Sequence, residues 1–127
     1  MGNLIMIGLG GFVGAILRYQ VSGWVQGLSR SAGFPYGTLA VNVAGSFTIG
    51  LCYFFIESRG ALTPNTRAFL LIGLLGAFTT FSTFSMETLN LATGGELGRA
   101  ALNLLANCSL ALLAAWAGRM LPYLIWR

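Results

Sequence analysis

The 127-residue chain has no histidine, aspartate or lysine, and charged residues make up 8% of it, against about 25% in soluble domains. Without those side chains most general acid–base catalysis and most metal ligation are excluded. Seven arginines (Arg18, Arg30, Arg59, Arg67, Arg99, Arg119 and Arg127) stand against Glu57, Glu87 and Glu96, for a net charge of +4. They lie singly between apolar runs, so the basic stripe of a nucleic-acid surface is absent. Cys52 and Cys108 are the only cysteines, each inside an apolar run, and neither a disulfide framework nor a zinc site is expected. Met1-Gly2-Asn3 leads straight into apolar sequence with no basic n-region and no Ala-x-Ala site, so the first apolar segment is expected to persist in the mature protein.

What fills the chain is apolar sequence, at 56% of residues. That exceeds what one water-facing core of this length can hide, so lipid is the solvent for much of the surface. A bilayer core about 30 Å thick needs about 20 apolar residues as a helix. Four segments qualify, at 3–28, 36–56, 66–93 and 97–125, separated by Ser29–Pro35, Glu57–Asn65 and Gly94-Gly95-Glu96. These predict an all-α, single-domain membrane protein with both termini on one side and with Trp116, Tyr123 and Trp126 near an interface. Arg59, Arg67, Arg119 and Arg127 fall on the terminal side, Arg30 and Arg99 on the other, and Arg18 inside a span. So small an asymmetry leaves open both one fixed orientation and insertion either way to pair with an inverted copy. The sequence has no internal repeat, so any inverted symmetry must come from two chains.

Polar groups at membrane depth are costly and face a partner helix or a wet cavity. On the first span Gly10, Gly11, Gly14 and Arg18 follow three- and four-residue steps. The glycines suit close helix packing, and Arg18 either snorkels to the headgroups or lines an aqueous vestibule that attracts anions. Thr38, Asn42, Gly45, Ser46 and Tyr53 make a narrow polar face on the second span, where the Asn42 amide requires partners from another helix or from a passing ligand. Residues 73–87 hold two glycines, five hydroxyl residues and three phenylalanines. That composition predicts a helix broken near Gly76 to Thr80, exposing carbonyls able to bind a cation and amides able to bind an anion, with a merely kinked helix as the alternative. Phe81 and Phe84 share a face interleaved with Ser82, Thr83 and Ser85, so positive ring edges and hydroxyls can together replace an anion's water. Asn103 and Asn107 stack one turn apart with Ser109 nearby, which with Asn42 completes a polar track. Glu87 lies near the end of the third segment, where it meets water.

Three motifs in order resemble the CrcB/Fluc family of small dual-topology fluoride ion channels. They are Gly11-x-x-Gly14-x-x-x-Arg18, Gly37-Thr38-x-x-Val41-Asn42-x-x-Gly45-Ser46 and Gly73-x-x-Gly76-x-x-Thr79-Thr80-Phe81-Ser82-Thr83-Phe84-Ser85-x-Glu87, and the similarity spans essentially the whole chain. The resemblance implies four transmembrane helices per subunit, a centrally broken third helix and an antiparallel homodimer in the cell's inner membrane. It also implies two pores and a structural sodium ion on the two-fold axis, held by the backbone carbonyls of Gly76 and Thr79 from both chains. Oxygen cages suit a hard cation and need no acidic ligand. By the same resemblance Phe81 and Phe84 line the fluoride path, Asn42 is its amide, and Arg18 sits toward a vestibule. Ser82, Thr83, Asn107 and Ser109 are the neighbouring candidates.

The expected activity is passive fluoride export down its electrochemical gradient, with no protein partner required. Two features depart from the family pattern. Asn103 and Asn107 stand where Tyr and Ser are frequent, and Ala77 stands where glycine is common. A proton-coupled multidrug exporter of similar size needs a carboxylate in mid-membrane on the first span, which this chain lacks. A non-conducting scaffold subunit needs only the packing glycines, and an enzyme has no visible base, nucleophile or metal set.

Overall fold

A computed structural model describes residues 2–30, 33–60 and 62–125. Trp126 and Arg127, which enter the interface and charge arguments above, lie outside the described residues. Among the described residues every regular element is helical, and four stretches are long and apolar enough to cross a membrane. The first two spans are α1 (Gly2–Ser29) and α2 (Tyr36–Arg59). The third is composite: α3 (Pro64–Arg67), a π-helical run (Ala68–Leu75), α4 (Gly76–Phe78) and α5 (Phe81–Thr93). The fourth is α6 (Leu97–Ile125).

Local chemistry sets the ends. Gly60, at φ 57°, closes α2 in the left-handed conformation that glycine adopts freely, its N–H donating to the Ile56 carbonyl at 3.1 Å. Thr63 caps α3 by accepting from the Thr66 N–H at 3.3 Å, and Pro64 occupies the first helical position, where a missing N–H is harmless. Gly95, at φ 83°, makes the turn from α5 into α6.

Small residues draw the spans together at two crossings. Gly10 and Gly14 of α1 lie against the carbonyls of Phe69 and Leu74, and Gly73 lies against Ile7 and Gly10. The π-helical run therefore packs backbone to backbone on α1, an approach that only glycine permits. At the other crossing Gly50 of α2 meets Ala115, and Gly118 of α6 meets Phe47.

Few side chains are buried: Phe34, Val41, Phe54, Ala68, Leu75, Phe84, Ala100 and Pro122 are, together with Thr38, Thr80, Asn103 and Asn107. By contrast Leu4, Phe12, Trp24, Leu112 and Leu124 are exposed. Large apolar side chains on the outside, with asparagine and threonine buried among the apolar ones inside, depart from the pattern of a water-soluble globule. The chain is a multi-pass membrane protein whose outer face meets lipid.

Candidate functional site

Between α4 and α5 two residues leave helical geometry. Thr79 (φ −84°, ψ 157°) and Thr80 (φ −150°, ψ 110°) are extended, in the middle of the third span. Extended backbone at this depth has polar groups that no lipid satisfies. Asn42 of α2 supplies the partners. Its Oδ1 accepts from the Thr80 N–H at 2.8 Å, and its Nδ2 donates to the Thr80 carbonyl at 3.2 Å. A side-chain amide here replaces both bonds that a neighbouring helical turn would make. Thr80 then caps α5: its hydroxyl donates to Thr83 Oγ1 at 2.8 Å and accepts from the Thr83 N–H at 3.2 Å. Gly45, also on α2, lies against the Thr79 methyl and the Phe78 ring, leaving no room for a side chain.

Beyond Asn42 the polar contacts continue through α6. Asn42 Nδ2 also donates to Asn107 Oδ1 at 2.9 Å, and Asn107 Nδ2 donates to Asn103 Oδ1 at 2.9 Å and to the Asn103 carbonyl at 3.1 Å. Asn103 Nδ2 reaches Thr88 Oγ1 at 2.9 Å, and the Thr88 hydroxyl donates to the Phe84 carbonyl at 2.8 Å. Sequence reasoning singled out the three asparagines but not Thr88. Its only sequence signal is a hydroxyl four residues after Phe84.

Thr80 borders two cavities. The larger, about 730 Å³, takes polar lining from several elements: Arg18 and Ser22 of α1, Thr38 of α2, Thr83 and Glu87 of α5, and Glu96 just before α6. Arg18 thus faces a cavity and makes no ion pair among the described residues. Glu87 sits inside α5 rather than at a helix end, half-buried on the border of this cavity: Oε1 accepts from the Thr38 hydroxyl at 2.7 Å, and Oε2 is buried without a partner. The smaller cavity, about 540 Å³, is bordered by Asn42, Gly76, Thr79, Phe81, Phe84 and Asn107.

The two phenylalanine rings contact edge to face, with centroids 5.3 Å apart and planes at 64°. Phe84 is buried within the chain, whereas Phe81 is 78% exposed on its outside. Ser82 and Ser109 are exposed and border neither cavity, and Ser109 donates to the Leu105 carbonyl of its own helix. The structure therefore brings Asn42, Thr80, Thr83, Phe81, Phe84 and Asn107 together and leaves Ser82 and Ser109 apart in the single chain.

Chemically the site offers fixed donors and positive ring edges at membrane depth, approached from a cavity that carries a guanidinium. It has no group of three or more His, Cys, Asp or Glu side chains among the described residues. The oxygens on offer are backbone ones. The Thr80 N–H, which a continuous helix would direct at the Gly76 carbonyl, goes to Asn42 instead. Gly76 and Thr79 both border the smaller cavity, and neutral carbonyl oxygens of this kind suit a hard monovalent cation.

The model of the family described as CrcB-like protein, Camphor Resistance (CrcB), matches residues 5–119. The chain is 50% identical over 118 residues to a fluoride-specific ion channel FluC of Sulfurovum sp. (strain NBC37-1), covering 93% of this chain and 91% of that one. It is 44% identical over 120 residues to a fluoride-specific ion channel FluC 1 of Methanosarcina acetivorans, covering 94% and 90%. With a Thermus thermophilus fluoride-specific ion channel FluC the identity is 49% over 114 residues, covering 90% and 88%. Identity of this extent along nearly the full length of both partners leaves one assignment: the chain belongs to the CrcB-like family.

Proposed function

We propose that the protein is a passive fluoride channel, not an enzyme, that lets the ion leave the cytoplasm down its electrochemical gradient. The observation that carries the reading is that Thr80 borders both cavities, one on each side of the break. An anion drawn into the larger cavity by Arg18 reaches, at one extended residue, the hydroxyls of Thr80 and Thr83, the Asn42 amide and the ring edges of Phe81 and Phe84. Fluoride is small and strongly hydrated, so its water must be replaced by several donors at once, and the ion gains these by competing for the bonds that Asn42 Nδ2 makes to the Thr80 carbonyl and the Thr80 hydroxyl makes to Thr83. The relatives named as fluoride-specific channels support the choice of ion.

The working molecule in this reading is an antiparallel homodimer with two pores. Phe81, exposed on one chain, then faces the partner rather than lipid, and Ser82 and Ser109 lie on surfaces the partner can reach. The break at Thr79–Thr80 presents the Gly76 and Thr79 carbonyls of both chains to a sodium ion at the interface, where it holds the two third spans together.

The test is efflux from liposomes loaded with potassium fluoride, with valinomycin to carry the counter-charge and a fluoride electrode outside, beside a chloride-loaded set. Rapid fluoride release without chloride release is expected. No release from protein shown to be dimeric would leave a family scaffold without the activity.

A further inference from the structure

We propose that Asn103, buried in α6, is a positioning residue for the ion path: through Asn107 it holds the Asn42 amide in the direction that the Thr80 backbone dictates. The inference rests on the channel reading in placing Asn42 beside the path.

Some groups in this series cannot exchange roles. A backbone N–H only donates and a carbonyl only accepts, whereas an Asn side chain can turn and present either end. At one end of the chain of contacts the Thr80 N–H donates at 2.8 Å, which forces Asn42 to present Oδ1 there and Nδ2 toward Asn107. Asn107 must answer with its Oδ1, which turns its Nδ2 to Asn103. That nitrogen also meets the Asn103 backbone carbonyl at 3.1 Å, an acceptor that cannot change. Asn103 accordingly accepts through Oδ1 and donates through Nδ2 to Thr88, whose hydroxyl ends the series on the Phe84 carbonyl. The bonds run one way, from α2 through α6 to α5, and both ends are anchored on backbone.

Burial makes the direction costly to reverse. Asn103 has no exposed surface and Asn107 has 5%, so a turned amide would set donor against donor with no water to intervene. Both Asn42 donors are engaged, one to Asn107 at 2.9 Å and one to the Thr80 carbonyl at 3.2 Å. The second bond is the longer, and an anion at Thr80 would compete for it while Asn107 keeps the rest of the amide in place. Asn103 itself lines neither cavity and reaches the smaller one only through Asn107, which does. Its effect on the ion is therefore indirect.

Two independent readouts test this on the full chain. The first is fluoride efflux as above. The second is the side-chain amide signals of Asn42, observed by NMR in protein labelled with ¹⁵N-asparagine. Asn103→Leu should lower fluoride efflux at least about fivefold and shift or broaden the Asn42 side-chain signals, although residue 103 does not touch Asn42. Thr88→Val, a milder change that keeps the fold, should move both readouts in the same direction, and Thr88→Ser should restore them. Unchanged Asn42 signals in folded Asn103→Leu and Thr88→Val proteins would overturn the proposal. So would efflux lost equally in Thr88→Ser and Thr88→Val. If the unsubstituted protein passes no fluoride, the channel reading fails by itself, and the Asn42 signals still decide whether Asn103 orients the amide.

Discussion

Phe81 and Phe84 are neighbours on one helical face with rings 5.3 Å apart, yet the chain holds them differently. Phe84 is packed inside, and Phe81 stands outside, 78% exposed. Replacing a buried ring by a smaller branched side chain leaves unfilled space, whereas the same change on an uncovered surface does not. Phe84→Ile should therefore destabilise the single chain by about 1 kcal/mol, and Phe81→Ile by much less. Both should cut fluoride efflux strongly if the rings form the path. Thermal melting beside efflux separates the two effects, and unchanged efflux in both variants would remove the rings from the mechanism. At Asn42 the stakes are higher. Asn42→Leu strands the Thr80 N–H, which costs about 1–3 kcal/mol, and should expose the 79–80 backbone to faster amide exchange.

Among the elements, the two glycine faces of α1 are not equivalent. Gly14 lies against the Leu74 carbonyl, while a Cβ at Gly11 would meet nothing within 4 Å. Gly14→Ala should push α1 off the π-helical run and cost about 1–3 kcal/mol, whereas Gly11→Ala should be neutral or slightly stabilising through helix propensity. Equal melting temperatures for the two variants would remove the close crossing from the account. The π-helical run itself was not legible in the sequence. Ala68-Phe69-Leu70-Leu71-Ile72-Gly73-Leu74-Leu75 is apolar all round, and no periodicity distinguishes a wider winding from an α-helix there.

The four spans were legible, because length and hydropathy alone demand them. Asn42, Thr80 and the fourth-span asparagines were legible as polar groups at membrane depth, but their pairing was not. Whether Asn103 meets Thr88 depends on how α5 and α6 are rotated against each other, and local sequence does not encode that angle. The half-buried Glu87–Thr38 contact was missed for the same reason.

For the molecule as a whole, a polar notch at Asn42, Gly76 and Thr79 opens on the outside of one chain beside an uncovered Phe81, which hydrocarbon would penalise. An inverted second copy covers it only if chains insert both ways. Insertion follows the Arg balance near the span ends, with glutamates counting little, so the Glu57–Arg119 and Glu96–Arg99 pairs do not cancel the arginines for this purpose. The balance is small enough for two added arginines to fix the orientation. Asn3→Arg with Asn65→Arg adds charge on the terminal side, and Thr93→Arg with Gly98→Arg adds it on the other. All four positions are exposed. Each double variant expressed alone should insert one way and lose most of its fluoride efflux, for want of an opposed partner. Co-expression of the two should restore it. Full efflux from either double variant alone, with a terminal reporter showing a single orientation, would mean that a parallel assembly or a single chain conducts, and the antiparallel dimer would have to be abandoned.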